Sequence, residues 1–354
     1  MTDRLRVGID VTPLVGPPTG IHQHTRHLAA ALAQRSDVDV SGWLLSARGR
    51  VPEFPGPVRR APIPAAVAAR TWRHLRWPGH DRLAGGVDVI HGTNFLGPPE
   101  PSTVLTIQDL TPLREPERIE PAIARKGAAI RRAIDAGAWV HVSSALVGAE
   151  LETETGCDRI SVIHHGIPDP TPTTPGDGHR IVGRDPYVVV VGTTERRKCI
   201  DRVVAAVAAL DPQLALVVVG PPGNAESELD AAIDRHAMAD RVVRLTSLGD
   251  RDRAAVVADA TALALASEYE GFGLTPLEAL RAGVPVAATA VGVLPELIGD
   301  TIPLADPSGA DFTIHLERAM GTTVPAELAI RLADLNWTRH AEQMMDLYAR
   351  AATS

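Results

Sequence analysis

The sequence has few cysteines, no long apolar run and no excess of basic charge. Its 354 residues include two cysteines, Cys157 and Cys199. So far apart, they make neither a disulfide framework nor a metal-ligand spacing, and a reducing cytoplasm is the expected setting. The amino terminus, MTDRLRVGIDV, has no apolar stretch of the signal-peptide kind. No run approaches the roughly 20 apolar residues that span a bilayer. The chain is therefore expected to be cytoplasmic and soluble, or at most peripheral to the inner membrane face. Lysine and arginine number 35 against 43 acidic residues, a net charge of −8, which argues against nucleic acid as the partner.

What is present is an ordinary globular mixture, 45% hydrophobic and 22% charged, long enough for two domains. Short apolar runs alternate with helical patterns in both halves. In the first half, strands are expected at Arg6–Val11, Val40–Leu45, Val87–His91, Val104–Ile107, Val140–Ser143 and Ile160–Ile163. Helices are expected at Gly20–Gln34, Ala122–Ala136 and Ala145–Glu154. The stretch Pro168-Asp-Pro-Thr-Pro-Thr-Thr-Pro-Gly-Asp-Gly178 stops regular structure. A second series then follows, with strands at Tyr187–Gly192, Leu214–Val219, Val242–Leu245, Ala262–Ala266 and Val284–Ala287. Its helices are Lys198–Leu210, Glu226–Arg235, Asp252–Ala260 and Pro276–Ala282.

Alternation of this kind argues parallel sheets covered on both faces. The expected fold is α/β, with two Rossmann-like doubly wound domains facing across a cleft. The domains are residues 1–169, a linker at 170–185, and residues 186–336. The last segment, 337–354, is helical and either finishes the second domain or crosses back to the first. Ligands of such sheets sit beyond the carboxyl ends of the strands.

Ser267-Glu-Tyr-Glu-Gly-Phe-Gly273 lies at one such end, directly after Ala262–Ala266. Thr275-Pro276-Leu277-Glu278 then opens a helix. Thr275 suits the N-cap, Pro276 the first helical position and Glu278 the third residue after the cap, so Glu278 could simply close a capping box. The alternative is a ligand site. The glycines permit close backbone approach, and free N–H groups at Leu274 and Thr275 make a socket for phosphate oxygens. Carboxylates beside that socket, Glu270 and Glu278, accept well from sugar hydroxyls. Gly192-Thr-Thr-Glu-Arg-Arg-Lys198 sits at another strand end and adds Arg196, Arg197 and Lys198. Cations at a helix start oppose the macrodipole unless an anion is bound, although a solvated cluster beside Glu195 is the plain alternative. Together these features describe a site for a nucleotide sugar.

The pattern Glu270-Gly-Phe-Gly-Leu-Thr-Pro-Leu-Glu278 resembles the E-x7-E signature of glycosyltransferase family four, the retaining enzymes of GT-B architecture. Ala279–Ala288, Leu294–Gly299 and Tyr187–Lys198 continue the likeness. Val7–Leu14, Thr19-Gly-Ile21, Asp88–Asn94 and Val162–Pro168 carry it into the first half.

The resemblance implies that Glu270 meets the donor sugar's hydroxyls and Glu278 the ribose. It implies that Arg197 and Lys198 neutralise the departing diphosphate. Thr193 and the backbone of Phe272, Gly273, Leu274 and Thr275 would line the donor, the turn at Gly20 would approach its phosphates, and Ser247–Asp250 would lie near the base. The terminal helix would cross to the first domain.

Two positions depart from the family pattern. Gln108 stands where the family often has histidine. It serves if that position only orients a hydroxyl, and fails if the position must be cationic. His22 stands where many members have glycine, and either supplies a cation or narrows the site.

The implied activity transfers a hexose or deoxyhexose from a nucleotide-diphosphate sugar to a hydroxyl acceptor, whether a glycan, a lipid-linked acceptor or a natural product. No metal or other cofactor is expected. The DxD spacings at Asp37–Asp39 and Asp250–Asp252 are read as structural. The alternatives are a nucleotide-sugar 2-epimerase and a donor-binding subunit without catalysis.

A basic cluster of Arg59, Arg60, Arg70, Arg73, His74 and Arg76 with Trp72 and Trp77 is read as a solvated helix whose tryptophans face the core. Contact with an anionic acceptor or a membrane surface is its alternative. His164-His165 is read as structural or cleft-lining and not as a metal pair, because neighbours on a strand point to opposite faces.

Overall fold

The computed structural model describes residues 4–16, 19–46, 51, 54–114 and 126–354. It divides into two compact units, Met1–Gly166 with Leu335–Ser354, and Ile167–Asp334.

The first unit is built on seven parallel strands. They are β1 (Leu5–Asp10), β2 (Val38–Leu45), β3 (Val58–Ala61), β4 (Val89–Gly92), β5 (Thr103–Ile107), β6 (Trp139–Val142) and β7 (Ile160–Val162). Their order across the sheet is β3-β2-β1-β4-β5-β6-β7, so the winding reverses between β1 and β4. The second unit repeats this plan with β8 (Tyr187–Val191), β9 (Ala215–Val219), β10 (Val242–Leu245), β11 (Ala262–Leu265) and β12 (Val286–Ala288). Their order is β10-β9-β8-β11-β12, and the reversal falls between β8 and β11.

The chemistry of the segments explains this. Tyr-Val-Val-Val-Val in β8 and Ala-Leu-Val-Val-Val in β9 are apolar on both faces, as a sheet covered by helices on both sides requires. Val188, Val190, Leu216 and Val218 pack with Val203 and Val207 of the helix Ile200–Ala209 and with Phe312 and Leu316 of the helix Phe312–Met320. In the first unit, Val7, Ile9 and Val89 pack with Leu28 and Leu32 of the helix Gly20–Ala33. Met344, Leu347 and Tyr348 of the helix Trp337–Ala352 join the same core. Side-chain caps set several helix starts: Thr19 accepts from the N–H of His22, Ser144 from Val147, and Asn336 from Arg339.

Some local expectations are corrected. The helix expected at Ala122–Ala136 is seen as Lys126–Asp135, and 122–125 lie outside the described residues. The proline-rich segment carries no regular structure through residue 176, but the helix Asp177–Val182 follows at once. It packs on the helix Asp250–Ala258, where the N–H of Gly178 donates to Asp259 at 2.7 Å. Of the two tryptophans in the basic cluster, Trp72 is fully buried and its indole N–H donates to the carbonyl of Pro78 at 2.9 Å. Trp77 is 46% exposed, so it does not face the core. Strand β3 was not foreseen because three of its four residues are exposed and supply no apolar pattern. Among the described residues, no helix is long and apolar enough to cross a membrane.

Candidate functional site

The reversal between β8 and β11 brings two loops side by side in the second unit. Beyond β8 the chain enters the short 3-10 turn Arg196–Lys198. Beyond β11 it runs through Ser267–Gly273 into the helix Leu274–Arg281. The N–H of Glu268 donates to the carbonyl of Arg197 at 2.8 Å and locks the loops together. This is the crevice where an open parallel sheet binds ligands.

Glu270 is the centre of the crevice. Its residue surface is 8% exposed. One carboxylate oxygen accepts from the Ser267 hydroxyl at 2.8 Å and from Lys198 Nζ at 3.1 Å. The other accepts from Arg197 Nη1 at 2.7 Å. Burial alone would raise this acid. The charges of Lys198 and Arg197 and the hydrogen bonds from Arg197 and Ser267 outweigh it and bring the group down to about 2. Glu270 is thus a fixed anion with most of its acceptor capacity taken up.

Arg197 also donates to Glu195 and to the carbonyl of Tyr269. Arg196 does not join it: it is exposed and pairs with Glu228 at 2.7 Å. The expected row of three cations is therefore a pair. The helix proper begins only at Ile200, after Cys199 turns the chain in a left-handed conformation. Gly192 sits beneath Lys198, whose Nζ would lie 3.1 Å from a Cβ built there, and its φ of +139° also favours glycine. Thr193 lies half-buried in the same turn, where its carbonyl accepts from the N–H of Glu195.

The capping box is corrected. The helix starts at Leu274, with Gly273 as N-cap at φ +92° and no side-chain cap. Glu278 is thus the fifth residue of the helix and too far along to close a box at its start. Its carboxylate is half-buried and 3.9 Å from Arg253. Burial raises its pKa, Arg253 opposes that, and Asp250 adds to it. Asp250 opens the helix that follows the Ser247–Asp250 loop. Leu274 and Thr275 thus offer N–H groups at a helix start that no side chain caps. Phe272 is buried, and its carbonyl accepts from the N–H of Val293 at 2.9 Å, which fixes the loop behind the helix start. The second unit thereby gathers Lys198, Arg197, Glu270 and this helix start at one switch point.

The other predicted residues lie in the first unit. Gly20 is the exposed first residue of its helix. His22 is half-buried in the first turn, and its Nδ1 has no hydrogen-bond partner among the described residues. Gln108 follows β5, and its Oε1 accepts from His165 Nε2 at 3.1 Å. The amide nitrogen of Gln108 is buried without a partner among the described residues.

Two features of the first unit escaped the sequence reading. Asp10 ends β1 at its own switch point, is 3% exposed, and is pushed by burial up to about 6 against the hydrogen bonds from Thr12. Its position at a strand's carboxyl end was the available signal. The other feature is a buried group of histidines, His24, His91, His141, His165 and His340. They are scattered along the sequence, and only the fold unites them.

Parallel sheets wound in this order, with the charged site at a reversal, define the Rossmann-like units of the GT-B class. Residues 177–311 match the family model described as glycosyl transferases group 1. D-inositol 3-phosphate glycosyltransferase of Mycobacterium sp. (strain KMS) is 30% identical over 246 residues, covering 66% of this chain and 53% of that protein. The chain thus spans about half the length of the first curated relatives it matches. Sucrose-phosphate synthase from Thermosynechococcus elongatus has the same fold, with a TM-score of 0.77 at 20% identity over 98% of each chain. Anabaena Alr3699/HepE, solved in complex with UDP and glucose, gives a TM-score of 0.70 at 17% identity, over 97% of this chain and 99% of that one.

Proposed function

We propose that the protein is a retaining glycosyltransferase that moves a hexose or deoxyhexose from a nucleotide-diphosphate sugar to a hydroxyl acceptor. The observation that carries this reading is the arrangement around Glu270. Two cations, Lys198 and Arg197, are held on a buried carboxylate beside a helix start that no side chain caps. Both are donors suited to a diphosphate that gains charge as it leaves. That a protein of like fold is seen with UDP and glucose supports a nucleotide-sugar donor.

In this reading Lys198, Arg197 and the N–H groups of Leu274 and Thr275 neutralise the leaving diphosphate, with no metal needed there. Glu278 receives the ribose and Glu270 a sugar hydroxyl on its remaining lone pair, with Thr193, Phe272 and Gly273 alongside. Glu270, held near 2, is too weak a base and too fully bonded to act as a nucleophile. That favours retention by attack on the leaving-group face. The acceptor oxygen bonds to the anomeric carbon as the phosphate oxygen departs, and the departing phosphate takes the proton.

The setting is cytoplasmic, with peripheral membrane contact through exposed Leu75 and Trp77 beside Arg76. Co-sedimentation with anionic vesicles checks that contact.

The test of the activity is a panel of nucleotide sugars scored by thermal shift and by slow release of nucleoside diphosphate. One donor raises Tm and is hydrolysed. A panel without any shift contradicts the reading. Conversion of the donor sugar with no acceptor present, followed by proton NMR, would replace it with a 2-epimerase.

A further inference from the structure

Five histidines are buried together in the first unit, and they fall into two groups. The first group is fully satisfied. Tyr348 O–H donates to His91 Nδ1 at 2.8 Å, and His91 Nε2–H donates to Thr106 Oγ1 at 2.7 Å. Thr106 O–H donates to His141 Nδ1 at 2.9 Å, and His141 Nε2–H donates to the carbonyl of Ile163 at 2.9 Å. The carbonyl can only accept, so it fixes the direction of every bond back along the chain. Both ring nitrogens of His91 and His141 are therefore used.

The second group lies outside that chain of bonds. His24, His165 and His340 are each at most 6% exposed. Among the described residues neither ring nitrogen of His24 has a hydrogen-bond partner, and a buried imidazole without hydrogen bonds is costly. His340 Nδ1–H donates to the carbonyl of His164 at 2.8 Å, which leaves its Nε2 as a lone pair with no partner among the described residues. His165 Nε2–H donates to Gln108 Oε1, which makes Nδ1 the lone-pair nitrogen of that ring. One nitrogen from each of the three rings lies within 4.8 Å of the others. The ring centroids of His24 and His165 are 4.4 Å apart.

We propose that His24, His165 and His340 form a binding site for a divalent transition-metal ion, with zinc the first candidate. Three imidazoles are a donor set that suits zinc, copper, cobalt or nickel. Two of the three already donate their other N–H to a carbonyl or amide oxygen, the arrangement that orients histidine ligands toward a metal. Around zinc, at about 2.0–2.1 Å from each nitrogen, the ligand atoms would stand about 3.3 Å apart, so the nitrogens close in on one another by up to about 1.5 Å. Three protein ligands leave the fourth tetrahedral position to solvent.

The ligands come from the helix Gly20–Ala33, the segment that follows β7, and the terminal helix. The ion would therefore pin the terminal helix to the first unit and hold Gln108 through His165. The three histidines belong to the first unit and the charged residues around Glu270 to the second, and this inference does not rest on the proposed glycosyl transfer.

The experiment uses the full chain without a histidine tag. Metal content is measured after exhaustive dialysis, cobalt is titrated in while visible spectra are recorded, and Tm is compared with and without a strong chelator. We expect about one zinc ion per chain. Cobalt should give the intense visible bands of tetrahedral coordination, and the chelator should lower Tm. His24→Gln and His340→Gln should each weaken the ion by roughly 100-fold or more, while His141→Gln keeps it. Should those variants not fold, the wild-type stoichiometry and cobalt spectrum decide alone. Folded wild-type protein that binds zinc, cobalt, nickel and copper no better than background overturns the proposal. So does an ion that stays bound in a folded His24→Gln, His340→Gln double variant.

Discussion

Lys198 and Glu270 are 72 residues apart in the chain, yet Nζ and Oε1 lie 3.1 Å apart across neighbouring strand ends. Buried pairs of this kind add little net stability. Their gathering at the β8/β11 reversal is better explained by an anionic ligand that competes with Glu270 for the cation.

The first prediction concerns that cation. Lys198→Ala removes a donor to the departing diphosphate and should cost about 3 kcal/mol of transition-state stabilisation, roughly a 100-fold loss in kcat/KM. Steady-state kinetics with the donor found in the panel measure it. Near-normal turnover would contradict the role of Lys198.

Glu270→Gln separates structure from pH. The acid is held at about 2 in the folded protein, below its ordinary 4.5. Its contribution is therefore present above about 4.5 and lost as pH falls through about 2. The stability gap between wild type and Glu270→Gln should shrink across that window, by on the order of 3 kcal/mol. Urea unfolding at pH 6, 4 and 3 reads the gap. A gap independent of pH would mean that Glu270 is not held as an anion.

Asp10 should behave in the opposite sense. Burial raises it from 3.8 to about 6. The folded state therefore favours the protonated acid, and stability is lost as pH rises from about 3.8 through about 6. Asp10→Asn keeps an oxygen for the N–H of Thr12, which the acid now accepts at 2.9 Å. It should exceed wild type in stability at pH 8, by about 3 kcal/mol, and match it near pH 4. Thermal melts at the two pH values check this.

Glu278→Gln tests the corrected helix start. Because Glu278 caps nothing, the change should alter stability by less than about 0.5 kcal/mol. Donor affinity, measured by calorimetry, should fall. Unchanged affinity would remove Glu278 from the ribose contact.

Much of this was legible in the sequence because parallel strands buried on both faces are continuous apolar runs, as in Tyr187–Val191. Glu270, Arg197 and Lys198 were legible because strand ends in this fold are binding positions. Edge strand β3 was not, since its exposed Val-Arg-Arg carries no period. The helix start at Leu274 was misjudged because Thr-Pro-Leu-Glu satisfies the capping rule locally, whereas left-handed Gly273 opens the helix one residue before Thr275. The histidine group was invisible because residues 24, 165 and 340 meet only through tertiary packing.

The most direct measurement is a crystal structure of the protein grown with UDP, GDP or dTDP, whichever the panel selects. The account predicts the diphosphate within hydrogen-bond reach of Lys198 Nζ and of the N–H groups of Leu274 and Thr275. A nucleotide bound elsewhere, with Lys198 and Arg197 still closed on Glu270, would contradict it.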